Sequence, residues 1–205
     1  MIYQSFREQW KDQACFSIQQ VYAWRPRFDK NNLGRWVRQG LLVKLRNAYY
    51  TFPEYLQEPG FHFYVAGIIY KPSYVSLHAA LSFYGLIPEA VASTTSITTR
   101  KTASYENELG WFSYKSVKPE MYSGFEMRKQ SGPRFFRMAL AEKALLDLLY
   151  IYPFYDTVEE LLDLRLNEQL MQEIIQKDLL LGHAERVGSK ALLHRINLLI
   201  NTYGL

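Results

Sequence analysis

Hydrophobic positions recur along this chain with two different spacings. Leu33, Trp36 and Val37 stand at i, i+3 and i+4, the stripe of a helix that buries one side. The spacing predicts a helix from about Asp29 or Lys30 to Gln39, closed by Gly40. Ile18, Val21 and Tyr22 form a similar stripe in a short helix opened by the capping box Ser17-Ile18-Gln19-Gln20, with Pro26 just past its end. Ser5-Phe6-Arg7-Glu8 has the same capping pattern and predicts a first helix running to about Asp12. The spacing then changes to alternation. Leu41–Leu45 and Ala48–Phe52 read as two strands joined across Arg46-Asn47. Three helices followed by a hairpin is the order of a winged helix-turn-helix.

Pro53 to Gly60 breaks the pattern and reads as a linker. Beyond it, Phe61–Tyr70 is an apolar helix ended by Lys71-Pro72, and Tyr74-Val75 a short extended piece. Ser76 reads as the cap of the helix LHAALSFYG, which Gly85 closes. TSITTRK, GWFSYKSV and RFFRMA, between Thr94 and Met138, are rich in β-branched and aromatic residues and predict strands. Ala139–Tyr150 is a helix, Thr157–Glu160 a capping box opening another, and helical patterns close the chain near 167–178 and 186–203. The expected class is α+β. A winged helix-turn-helix over residues 1–58 is followed by a mixed α/β domain over 59–205.

Charge sharpens this picture. Between Arg25 and Arg46 there are seven Lys/Arg and one acid, Asp29, a balance of +6 against +4 for the whole chain. Residues 1–60 carry +4, residues 61–135 +3 and residues 136–205 −3, so the two ends of the chain suit different partners. Cations concentrated on one helix and the adjoining hairpin are what a small module needs to meet nucleic-acid phosphates. The single cysteine, Cys15, excludes an intrachain disulfide and fits a reducing cytoplasm. No apolar run approaches the ~20 residues of a membrane span, so no membrane partner is expected. Most of the 16 Tyr, 12 Phe and 4 Trp recur at helix and strand periods, which assigns them to cores rather than to base stacking.

Tyr74 to Thr102 (YVSLHAALSFYGLIPEAVASTTSITTRKT) and Arg134 to Pro153 (RFFRMALAEKALLDLLYIYP), in this order behind the N-terminal pattern, resemble the AbiEi-type antitoxins of type IV toxin–antitoxin systems. The resemblance covers most of the chain and is weakest after about Leu161. It implies a serine-headed helix leading into a β-hairpin that carries Arg100-Lys101. It also implies a transcriptional autorepressor that neutralises a nucleotidyltransferase-like toxin. The chain departs from the pattern at the wing turn, where Asn47 stands in place of the usual glycine.

In such a module the second helix of the pair enters the major groove. Asn31, Asn32, Arg35 and Arg38 are then the candidate base readers, because Asn pairs twice with adenine and Arg twice with guanine. Arg25, Arg27, Lys30, Lys44 and Arg46, with Asn47 at the turn, are candidates for phosphates, Arg46 alternatively for a minor groove beside the wing. A second basic set, Arg100, Lys101, Lys115, Lys118, Arg128, Lys129 and Arg134, offers extra DNA surface or a dock for an acidic toxin. No catalytic residue, metal or cofactor is expected. The four histidines lack metal-ligand spacing, no Gly-rich phosphate loop occurs, and Lys143–Asp147 reads as an ordinary i,i+4 pair. The expected partners are duplex operator DNA and the toxin, with the chain a monomer or weak dimer. The alternative is an adaptor whose winged helix binds protein, although an adaptor has no need of this charge density.

Overall fold

The computed structural model describes residues 2–88 and 93–205. Its first elements are α1 (Tyr3–Trp10), β1 (Cys15–Ser17), α2 (Ile18–Trp24), α3 (Asn31–Arg38), β2 (Val43–Arg46) and β3 (Tyr49–Thr51). The strands form an antiparallel sheet in the order β1-β3-β2. At α2 both bonds of the capping box are made: Ser17 Oγ accepts from Gln20 N at 3.2 Å, and Gln20 Oε1 accepts from Ser17 N at 2.8 Å. The first capping box is not made. α1 begins at Tyr3 without a side-chain cap, and Glu8 instead pairs with Lys11 at 2.6 Å. The earlier start puts Tyr3, Phe6 and Trp10 on one stripe, where Tyr3 donates to the Leu41 carbonyl at 2.9 Å. Strand β1 escapes a reading by pattern because its three residues are all buried and show no alternation.

The N-terminal core is aromatic. Phe6 is fully buried, with ring centroids of Trp36 at 4.8 Å, Phe16 at 5.3 Å and Phe28 at 5.6 Å. Leu33, Trp36 and the half-buried Val37 supply α3's inward side, as its stripe predicts.

The larger body holds α4 (Phe61–Ile69), β4 (Ser73–Val75), α5 (Leu77–Phe83), β5 (Ser93–Thr98), β6 (Ala103–Asn107), β7 (Gly110–Ser116), β8 (Phe125–Lys129) and β9 (Phe135–Ala139). It continues with α6 (Ala141–Ile151), α7 (Val158–Asp163), α8 (Glu168–Ile174), α9 (Lys177–Val187) and α10 (Lys190–Tyr203). The class is α+β, with a mixed six-stranded sheet in the order β6-β7-β5-β4-β9-β8. Adjacent residues of a strand face opposite ways, and β4 shows what lies on each side. Ser73 donates to the Ala66 carbonyl of α4, while Tyr74 donates to Asp147 of α6. Helix α6 is buried along nearly its whole length, with α9 and α10 packed against it. Strands β5 and β6 are not neighbours, because β7 pairs with both. Arg100-Lys101 therefore lies on a crossing loop and not on the β-hairpin that the resemblance implies. The stretch 89–92 of the resembling segment lies outside the described residues.

The division at 58/59 does not divide the packing. Cys15, Ala14 and Leu45 belong to the core of the larger body, whereas Phe16 and Phe52 belong to the aromatic core. The small sheet thus has a core packed against each face, although Lys44 on β2 stays exposed. The segment expected as a linker is itself a 3-10 helix, Pro53–Gln57, held at both ends. Tyr55 Oη donates to the Lys11 carbonyl at 2.5 Å, and Arg134 grips Glu58 with two bonds of 2.6 and 2.7 Å. Burial pushes the Glu58 carboxyl up, but bonds from Gln130, Ser131 and Arg134 outweigh it and hold the pKa below its ordinary value. A depressed carboxyl pKa contributes stability above the unfolded value and loses it as pH falls through the folded one. Urea midpoints should therefore fall on acidification below about pH 4.3, the ordinary value for glutamate, and Glu58→Gln should flatten that part of the profile. An identical pH profile in the variant would remove Glu58 from the seam's energetics.

Candidate nucleic-acid interface

Helix α3 spans eight residues, roughly 12 Å at 1.5 Å per residue. Asn31, Arg35 and Arg38 lie at i, i+4 and i+7 on its exposed side, opposite Leu33 and Trp36. Asp29 precedes the helix, and its carboxylate accepts from Asn31 N at 3.0 Å. Asn32 is half-buried: it donates to the Asp29 carbonyl at 3.0 Å and accepts from Arg35 Nη2 at 2.6 Å. Two candidate base readers therefore hold each other in the unliganded protein.

Gly34 shares this exposed side. A Cβ built there meets nothing within 4 Å, so nothing inside the protein requires glycine. In a helix interior glycine costs about 1 kcal/mol relative to alanine. What it provides is a flat spot flanked by Asn31, Arg35 and Arg38, suited to close approach by an outside surface. The signal was in the sequence, a glycine within the predicted helix yet off its apolar stripe, but only the structure separates a packing reason from an external one.

Arg25, Arg27, Lys30 and Lys44 are all exposed. Arg27, Lys30, Arg35, Arg38 and Lys44 form no ion pair among the described residues, which leaves their charge uncompensated. Arg46 differs from them. Its guanidinium donates to the Ile69 carbonyl and lies 4.0 Å from the Tyr105 ring centroid, so it is a seam residue turned away from a groove. It is half-buried because Leu45 and Asn107, whose Nδ2 donates to the Leu45 carbonyl at 3.1 Å, draw β2 onto the larger body. The turn between β2 and β3 also differs from the expected one. Ala48, at φ 70°, takes the left-handed conformation, and Asn47 is simply exposed. A left-handed alanine costs about 1–2 kcal/mol. It is held there by the Ala48 carbonyl accepting from Ile18 N at 2.8 Å.

The second basic set does not gather into one surface. Lys115 on β7 and Arg128 on β8 stand four strand positions apart, about 19 Å at ~4.8 Å per strand. Arg128 bonds Glu126, and Arg134 is the buried clamp on Glu58. Lys118 lines a cavity beside α6, and Lys129 is exposed on the edge strand β8. Arg100 lies nearer the N-terminal unit. It donates to the Lys71 carbonyl at 3.2 Å, and its guanidinium shares the Tyr70 ring with Arg46, at 4.9 and 5.4 Å. Lys101, beside it, is exposed.

The pair Lys143–Asp147 is not an ordinary surface pair. The two side chains are 2% and 0% exposed and bond directly. Asp147 also accepts from Ser76 Oγ at 2.7 Å and Tyr74 Oη at 2.9 Å, and Lys143 donates to Tyr74 Oη at 2.9 Å. Burial pushes the Asp147 carboxyl up, while Lys143 and the two hydroxyls pull it back. Burial and Asp147 together raise the Tyr74 phenol far above its ordinary value. The Ser76 hydroxyl is therefore spent on Asp147 and does not cap α5. Thr95 does that work, accepting from Ala79 N at 3.0 Å and donating to the Ser76 carbonyl at 2.7 Å. With Ser76 fully buried and its hydroxyl committed, this network is built to hold β4 against α6. The sequence carried a hint: AEKALLDLLY has apolar residues on every side, so the helix offers Lys143 and Asp147 no solvent face.

Among the described residues, no cluster of three or more His, Cys, Asp or Glu could hold a metal ion, and no helix is long and apolar enough to cross a membrane. No protein-family model matches the chain, and no curated protein matches it.

Breaking a buried pair from one side leaves an uncompensated charge and costs about 3–5 kcal/mol. Lys143→Met should destabilise by that amount in urea unfolding. Lys143→Met with Asp147→Leu should recover at least half of the loss. A double variant no better than the single one would show that the charge itself is not what the network balances.

Proposed function

We propose that the chain is a DNA-binding transcriptional autorepressor and the antitoxin of a type IV toxin–antitoxin pair. Its residues 2–52 act as a winged helix-turn-helix, with α2 and α3 the helical pair and β2–β3 the wing. The observation that carries the reading is the exposed face of α3. It combines Asn31, Arg35 and Arg38, a glycine with no internal purpose, and the flanking cations Arg27, Lys30 and Lys44, which form no ion pair among the described residues. A protein pays in self-repulsion for unpaired cations on one surface. Duplex phosphates offset that cost by releasing their counterions.

In this reading α3 lies in the major groove, where Gly34 admits the groove edge. Arg35 and Asn32 exchange their mutual bond for bonds to bases, and Asn31 and Arg38 reach neighbouring positions. Arg25, Arg27, Lys30 and Lys44 take phosphates. Arg46 supports the wing from behind, and Arg100-Lys101 extends the basic surface at its root. Neutralisation of a nucleotidyltransferase-like toxin rests on the resemblance of Tyr74–Thr102 and Arg134–Pro153 alone, and falls to the larger body.

Fluorescence anisotropy on a duplex from the region upstream of the coding sequence tests the DNA half. With about four phosphate contacts, the slope of log K against log salt should be near −3 to −4. Arg27→Glu with Lys44→Glu should weaken binding to every duplex alike, without lowering the melting temperature. Arg35→Ala should cost roughly 1–3 kcal/mol on the specific site and little on random duplex. A full-length protein that ignores duplex DNA at low salt would end the reading and favour the protein-binding adaptor. Growth rescue in cells expressing a neighbouring nucleotidyltransferase-like protein tests the antitoxin half separately.

A further inference from the structure

Beneath helix α6, on the side away from the small sheet, lies a cavity of about 490 Å³. Its walls come from the 3-10 turn Pro119–Met121, from α6 and from the junction of α9 and α10. Three features set it apart from a packing gap. His183 is 7% exposed, and its Nε2 is buried without a hydrogen-bond partner among the described residues, although burial of an unmet polar atom costs free energy. Burial, then Arg186 and Lys143, lower its pKa against the opposing pull of Glu142 and Asp147, which favours the neutral imidazole, able to donate or accept a bond. The second feature is charge. Lys118 and Arg186 are exposed at the walls, and Arg186 spends only its Nε, on the Gly182 carbonyl at 3.1 Å. Against them stands one wall acid, Glu120, and Lys143 is already neutralised by Asp147. The third is the apolar lining: Met121 and Leu146 are buried, with Tyr150 beside them.

Gly124 shows how closely the polar end is built. A Cβ there would stand 2.9 Å from Lys143 Cγ and 3.2 Å from His183 Cε1, at a φ of 73° that disfavours other residues. The backbone thus presses directly on the two side chains that border the cavity.

We propose that this cavity binds an anionic small molecule of mononucleotide size. Arg186 and Lys118 hold its phosphate, Met121, Leu146 and Tyr150 border a flat body, and a rotation of the His183 ring brings Nε2 to one hydrogen-bonding atom on that body. The volume lies within the usual range for small-molecule pockets, about 300–1,000 Å³. The site is separate from the α3 face and is independent of the DNA-binding reading.

The test titrates full-length protein with the four common nucleoside 5′-monophosphates and, separately, inorganic phosphate at constant ionic strength. Ring-nitrogen shifts of ¹⁵N-labelled histidine report on the four histidines. At least one nucleotide should shift His183 saturably and bind at least tenfold more tightly than phosphate. Arg186→Glu should weaken that binding at least tenfold, and His183→Phe should abolish it with the melting temperature kept or raised, since the unmet nitrogen is gone. Arg35→Ala, on the α3 face, should leave it unchanged. Should His183→Phe fail to fold, the exposed Arg186 carries the test. No saturable His183 shift with any of the four, phosphate binding as tightly as the nucleotides, or binding lost in Arg35→Ala but kept in Arg186→Glu would each overturn the proposal.

Discussion

The small sheet β1-β3-β2 sends side chains into two separate cores, one on each face, while Lys44 on β2 stays exposed, and the rest of the N-terminal unit depends on that constraint. Successive residues on its strands point into different cores. Cys15 enters the larger one and Phe16 the aromatic one, and Tyr49 and Tyr50 divide in the same way. A unit of about fifty residues buries too little to be secure by itself. Here it borrows the larger body as the second support for its sheet. Arg46 on Tyr105 and Ile69, Tyr64 on the Gln13 carbonyl at 2.9 Å, and Glu58 on Arg134 then fix its orientation. A helix and hairpin held this way keep their cations in fixed places; if they bind DNA as proposed, little reorganisation is left to make, which reduces the entropy cost of association.

The buried network in the larger body follows a related logic. A lysine and an aspartate inside a protein gain little over well-packed apolar residues, but each is costly without the other. Ser76 and Tyr74 complete the bonding of both, so β4, the start of α5 and α6 can meet in one register. Leu77, buried with φ at 57°, carries backbone strain at this junction that the surrounding bonds must offset. The same lysine borders the cavity beside α6. Order in that cavity's wall is thus inherited from the core.

The sequence carried much of this fold. The stripe Leu33, Trp36, Val37 placed α3 and its inward side, and Gly40, at φ 69°, ends it as expected. Ser17–Gln20 and Thr157–Glu160 cap helices where the pattern put them. What failed to show was whatever depends on contacts between distant segments. Three-residue β1 has no period to read, and β6 (ASYEN) and β8 (FEMRK) are edge strands of mostly polar residues, none of them fully buried. Pro53–Gly60 has the composition of a linker but is clamped by Arg134, a residue 76 positions away. The basic patch was legible as charge density. That Arg46 faces inward, or that Lys118 lines a cavity, was not, because composition does not record which way a side chain turns.

The central claim is that α3 and its flanking cations are the surface that meets DNA, while the larger body, Arg100-Lys101 apart, stays clear of it. Hydrogen–deuterium exchange with and without a duplex from the upstream region tests this directly, because it reports every backbone segment in one measurement. Slowed exchange should concentrate in residues 25–47, strongest along 31–38, with a smaller effect at Arg100-Lys101 and none in 141–203. Protection spread across the larger body, or confined to it while 25–47 exchanges unchanged, would contradict the account.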